Sequence, residues 1–145
     1  MSVSISKILQ VLDNPESLQN WRERVGLEEA ERISKRSAAI GTAMHKFLEH
    51  WIRDNKDCVD QTEEGILGRK MATKIYEHGI KDKLEDCWDM EARLKFGDYY
   101  HGRLDLSGIY YHQPCVIDFK QANKPKRKEW CWKYMCQLAA YVMAY

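Results

Sequence analysis

Trp88-Asp89-Met90-Glu91-Ala92-Arg93-Leu94-Lys95-Phe96 is the stretch whose period sets the fold class. Its apolar residues Trp88, Met90, Ala92, Leu94 and Phe96 alternate with Asp89, Glu91, Arg93 and Lys95, the pattern of a half-buried strand. Gly97-Asp98 is a turn signal leading into a second strand, from about Tyr99 to Leu106. Ser107-Gly108 continues to Ile109-Tyr110-Tyr111, and His112-Gln113-Pro114 turns the chain again, into a strand from Cys115 to Gln121. Strands this closely spaced predict an antiparallel meander.

Upstream the period is helical. Ser4 to about Leu12 reads as a short helix, stopped by Asp13-Asn14-Pro15. Glu16 to Ala30 carries Leu18, Trp21 and Val25 at helical spacing. The clearest helix runs from about Ala39 to Asp54, where Met44, Phe47, Leu48, Trp51 and Ile52 form one apolar face. A weaker helix from Glu63 to Leu84 is interrupted by Gly68 and Gly79. Downstream, Asn123 to Glu129 is a charged loop. Trp130 to Tyr145 is again helical, with Trp130, Tyr134, Leu138 and Tyr141 on one side.

Helices, then strands, then a helix predict a single α/β (mixed α+β) domain over residues 1–145. A helical N-terminal part, 1–38, precedes a core, 39–145, with a mostly antiparallel or mixed central sheet flanked by helices. The chain stops inside its last helix, which reads as truncation at the C-terminus. The expected consequence is a bare sheet edge, completed by a partner or by self-association.

Composition narrows the class. Apolar residues make up 44% and charged residues 31%, ordinary values for a globular protein, and the net charge is only +1. Bulk charge therefore carries no nucleic-acid argument, and local stripes must. Lys124, Lys126, Arg127 and Lys128 form one such stripe, with a weaker one at Arg32, Lys35 and Arg36. The five cysteines, Cys58, Cys87, Cys115, Cys131 and Cys136, include no CxxC pair. They suggest neither a disulfide framework, nor a zinc ribbon, nor an iron–sulfur cluster. No leader and no apolar span of membrane length is present, so no membrane partner and a cytoplasmic location are expected.

The chemistry sits on the strands. Asp118 and Lys120, two apart on a strand, leave the same face. Such a pair suits phosphodiester hydrolysis: the carboxylate binds a divalent cation and the lysine serves the attacking water. Alone, Asp-x-Lys is a common surface ion pair. Asp105 strengthens the reading, because an Asp between Leu104 and Leu106 is disfavoured in a strand and can face Asp118. Two such carboxylates repel unless a cation lies between them, and Mg²⁺ or Mn²⁺ is the natural occupant. His45 and Glu49, one helical turn apart, border the apolar face of the strongest helix and can reach the same site. Gln137 and Tyr141 are a further i, i+4 pair.

Four segments in order carry a resemblance: Gly41-Thr42-Ala43-Met44-His45 with Glu49, Gly102-Arg103-Leu104-Asp105, Val116-Ile117-Asp118-Phe119-Lys120, and Gln137-Leu138-Ala139-Ala140-Tyr141. Together they resemble the RecB-like exonuclease branch of the PD-(D/E)XK nuclease superfamily. Ser2-Val3-Ser4 with Ile8-Leu9, and Lys124-Pro125-Lys126, are further similar to the mitochondrial genome maintenance exonuclease group and its phage relatives. The resemblance implies a restriction-endonuclease-like core and a metal-dependent DNA exonuclease, acting on single-stranded DNA or free ends in repair, recombination or phage genome processing. It implies His45, Asp105, Asp118 and the carbonyl of Phe119 as metal ligands, and Lys120 as the group serving the water. Gln137 and Tyr141 support the catalytic set, and Glu91 joins Glu49 as an accessory acid. The Lys124–Lys128 stripe, with Trp21, Arg22 and Arg24, is expected to grip DNA. Gln121, where many relatives have Thr, departs from the pattern. The competing expectations are a non-catalytic nucleic-acid-binding module of the same fold, and an endonuclease of the same superfamily.

Overall fold

A computed structural model describes residues 2–145. Its centre is a four-stranded mixed sheet: β1 (Val3–Ser4), β2 (Leu84–Phe96), β3 (Tyr100–Tyr110) and β4 (Gln113–Ile117). β2 and β4 pair antiparallel with β3 on its two sides, so the expected meander forms. Gly97, at φ +51°, turns β2 into β3, and a tight two-residue turn at Tyr111 and His112 joins β3 to β4. Both turn residues are left-handed, at φ +48° and +61°, as a hairpin of primed type requires even without glycine.

Two strand expectations need correction. Ser107-Gly108 does not separate two strands, because β3 runs unbroken through both, opposite Cys115 and Val116. β4 ends at Ile117, so Asp118 and Lys120 follow the strand and do not lie on it. The two-residue β1, parallel to β3 at Tyr100 and His101, was not anticipated, since two residues show no period.

The helices are α1 (Ile5–Ile8), α2 (Pro15–Val25), α3 (Leu27–Glu49), α4 (Glu63–Ile75) and α5 (Trp132–Ala144). α2 starts where its sequence says it should: Pro15 occupies the first turn and Asn14 accepts a hydrogen bond from Ser17 N at 3.2 Å. Thr62 caps α4 in the same way, accepting from Gly65 N at 3.0 Å. The expected helix from Glu16 to Ala30 breaks at Gly26, whose φ is +87°. α3 therefore begins twelve residues earlier than its apolar face suggests, and the expected 38/39 division falls inside it. Its first half is carried by surface pairs such as Lys35–Glu31, at 2.7 Å, which apolar periodicity does not report.

α4 passes straight through Gly68, because that glycine is a contact surface. A Cβ there would come within 2.6 Å of the Ala43 side chain and 2.8 Å of Met44 N, so α3 and α4 meet backbone to backbone. A wider π turn, Tyr76–Ile80, ends this helical segment short of Leu84, which opens β2.

Two cores lock helices to the sheet. One joins Ala43, Met44, Phe47 and Leu48 of α3 and Ala72 of α4 to Leu106 and Phe119. The other joins Ile5 and Leu9 to Leu104 and to Ala140 and Tyr141 of α5. Leu104 and Leu106 are fully buried on one face of β3, one in each core, and alternation turns Asp105, between them, to the other face. All five cysteines are free thiols. Among the described residues no helix is long and apolar enough to cross a membrane.

Candidate active site

Asp105 is 7% exposed in the middle of β3. Its Oδ2 accepts a hydrogen bond from Phe119 N at 2.6 Å, which ties the segment after β4 to the centre of the sheet. Burial, and then the neighbouring Asp118 carboxylate, push the Asp105 carboxyl up to about 6, against the pull of His45, the Phe119 N–H and Lys120. An ionised Asp105 is thus under-compensated by the protein alone.

His45 approaches from α3. Its Nε2 lies 3.0 Å from the carbonyl of Phe119. A carbonyl only accepts, so Nε2 carries the hydrogen, and a neutral imidazole then leaves its lone pair on Nδ1. That atom is 3.5 Å from Glu91 Oε1 and 3.6 Å from Asp105 Oδ1. Glu91 reaches this position from β2 with φ at +52°, a left-handed conformation that an extended strand does not favour. Arg103 holds its other oxygen at 3.2 Å. One ligand atom each from His45, Glu91 and Asp105 lies within 4.8 Å of the others. Two carboxylates and one imidazole nitrogen are a donor set that Mn²⁺ accepts readily and Mg²⁺ tolerates.

Asp118 and Lys120 adjoin this cluster. The Asp118 side chain is 4% exposed, and its Oδ2 pairs with Lys120 Nζ at 2.6 Å. Gln137 of α5 reaches Asp118 Oδ1 at 3.5 Å and donates to the Tyr141 hydroxyl at 2.7 Å. Burial holds the Tyr141 phenol above its ordinary range, so it stays protonated. Gly102 makes room for that ring: a Cβ there would come within 2.6 Å of Tyr141 Cε1. The short motifs around Asp105, Lys120 and Tyr141 therefore meet in space.

The expected ligand set is regrouped. His45 and Asp105 lie together as expected, with Glu91 as their third partner. Asp118 is turned toward Lys120 and lies outside the trio. The Phe119 carbonyl is engaged by His45. Glu49 lines the same cleft but is held by Arg53 at 2.6 Å.

A cleft of about 1180 Å³ opens from Glu91, Asp105, His45 and Tyr141. Lys120 borders a separate, smaller hollow of about 450 Å³, together with Lys124, Lys126 and Tyr134. Lys126 hydrogen-bonds the Tyr134 hydroxyl and lies 4.7 Å from its ring centre, and Arg127 lies 5.5 Å from that of Trp130. Lys128 is exposed in the same segment. Trp130 was expected inside the last helix, at helical spacing with Tyr134, Leu138 and Tyr141. It sits instead in a 3₁₀ turn before α5, 63% exposed, because the basic segment leads it out to pack under Arg127. Trp21, Arg22 and Arg24 are on α2, which buries none of its residues, and they border separate hollows away from the carboxylates.

Sequence reading gave no role to Arg93, Lys95, His101 and Arg103, all of which border the large cleft. The signal was present: alternation places Arg93 and Lys95 on the face of Glu91, and His101 and Arg103 on the face of Asp105. No protein-family model matches the chain, and no curated protein matches it.

Proposed function

We propose that this protein is a metal-dependent nuclease that hydrolyses phosphodiester bonds of DNA at single-stranded or free ends. The observation that carries the reading is the convergence of His45, Glu91 and Asp105 in an open, basic-rimmed cleft, with the Asp118–Lys120 pair close enough to act electrostatically on Asp105. His45, Glu91 and Asp105 would hold a divalent cation, with Asp118 within reach of its surroundings. The cation supplies charge neutralisation at the phosphate and lowers the pKa of bound water.

The remaining roles belong to the chain's own groups. Phe119 N–H and the His45 ring fix Asp105 and the peptide after β4 relative to each other. Asp118 holds the Lys120 ammonium, whose charge also acts on Asp105, so it would orient the attacking water and offset charge on the phosphate. Gln137 steadies Asp118 and Tyr141 from behind. Lys124 and Lys126, beside Lys120, present positive charge to the backbone of an entering strand, which gives affinity without sequence preference.

The test is Mn²⁺- or Mg²⁺-dependent loss of label from end-labelled single-stranded DNA, run beside Asp118→Ala and Lys120→Ala. The reading expects metal-dependent shortening by the wild-type chain, loss of cleavage in both variants, and little cutting of closed circular DNA. DNA binding without cleavage under all metal conditions would instead select the non-catalytic module.

A further inference from the structure

Resting on the nuclease reading, we infer that the β2–β3 ribbon is a second phosphate-binding track, in the cleft that Glu91 and Asp105 line and separate from the hollow that Lys124 and Lys126 border. The track is built from two cross-strand rows. Arg93 is paired directly with Arg103, and Lys95 with His101. Directly opposed residues of an antiparallel ladder project from the same face, and all four border the cleft that ends at Glu91 and Asp105. Lys46, on α3, closes the cleft from the helix side.

Like charges placed opposite each other destabilise a sheet. An arginine facing an arginine is therefore a cost to the fold that an anion between them would remove. The neighbours only partly do so. Arg103 is tied to Glu91 at 3.2 Å, and Lys95 meets the exposed Asp98 at 3.0 Å. Arg93 makes no ion pair among the described residues and is exposed.

Spacing identifies the anion. Residues two apart on a strand are separated by about 6.6 Å, close to the distance between successive phosphates of a nucleic-acid strand. Asp105, Arg103 and His101 on β3 step along the cleft at that interval, with Arg93 and Lys95 of β2 opposite the last two. A strand with its scissile phosphate at the carboxylates would place its next two phosphates over the Arg93–Arg103 and Lys95–His101 rows. The loop cations beside Lys120 would hold another part of the strand. A single small anion would need one row only, so the two rows select a polyanionic strand.

The experiment measures binding of a fluorescent single-stranded oligonucleotide across a salt series. All proteins carry Asp105→Asn, which keeps the acceptor for Phe119 N and leaves the strand uncut. Into this background go Arg93→Ala with Lys95→Ala, or Lys70→Ala with Lys74→Ala, two exposed α4 lysines that border neither hollow, as a control for net charge. Two lost phosphate contacts should flatten the slope of log K against log salt by about 1.4 and weaken binding roughly tenfold or more. The control pair should change neither beyond a small uniform loss. An Arg93/Lys95 variant that matches the control in slope and affinity overturns the track, while the nuclease reading stands if wild-type cleavage persists. Absence of oligonucleotide binding in every protein also overturns the track, and the nuclease reading falls with it only where wild-type cleavage is absent.

Discussion

At the scale of single residues, Asp105 concentrates the argument. A buried carboxyl raised from the usual 3.8 to about 6 favours the folded state when protonated and opposes it when ionised. Its contribution is therefore fully present below pH 3.8 and is lost as pH rises through about 6. The displacement corresponds to roughly 3 kcal/mol. The metal-free protein should lose melting temperature between about pH 4 and 6.5. Mn²⁺ should raise it more at pH 7.5 than at pH 5, which thermal denaturation with and without EDTA would show. Asp105→Asn removes the charge and keeps an acceptor for Phe119 N, so the metal-free variant should melt at or above the wild type at pH 7.5 while cleavage is abolished. A large fall in its melting temperature would mean that Asp105 serves the fold and not a cation. Lys120→Ala makes a different demand: turnover should fall about 10²- to 10³-fold with oligonucleotide affinity reduced only modestly.

Asp105, Asp118, Lys120 and His45 were legible as chemistry because their types are rare in apolar surroundings. Their grouping was not. Which acid joins His45 depends on the left-handed twist at Glu91 and on where β4 stops, and neither leaves a mark in residue type.

At the scale of elements, the meander was readable because period-two alternation survives wherever one face is buried. The helices were readable by their apolar faces and misjudged where other forces hold them. α3 begins at Leu27 on surface pairs and a glycine break, not on apolar spacing. Gly68 lowers helix propensity, yet the helix continues because the bare Cα admits the neighbouring backbone. That reading predicts that Gly68→Ala, which would gain helix propensity on an exposed surface, destabilises this protein by about 1–3 kcal/mol. Urea denaturation would check it. A gain in stability would show that α3 and α4 can separate at no cost.

At the scale of the whole molecule, a net charge of +1 hides a strong division of sign. Buried Asp105 and Asp118 act on each other at one point, while cations line the cleft on β2 and β3 and the separate hollow beside Lys120. Charge balance is thus compatible with polyanion binding, because the acids are spent at one point and the basic groups are spread along a path. Sequence patterning anticipated the Lys124–Lys128 half of that path from its clustering. The β2–β3 half was hidden by alternation, which spaces its cations two residues apart and so dilutes them along the chain. α2, with Trp21, Arg22 and Arg24, stands apart from both halves.

The central claim is that His45, Glu91 and Asp105 hold the cation on which strand cleavage depends. The most direct measurement is the rate of label release from end-labelled single-stranded DNA as Mn²⁺ is titrated, for wild type and for Asp105→Asn. The account predicts saturable activation of the wild type and a loss of at least about a hundredfold in the variant at every Mn²⁺ concentration. Cleavage that persists without metal, or that Asp105→Asn leaves unchanged, would contradict it.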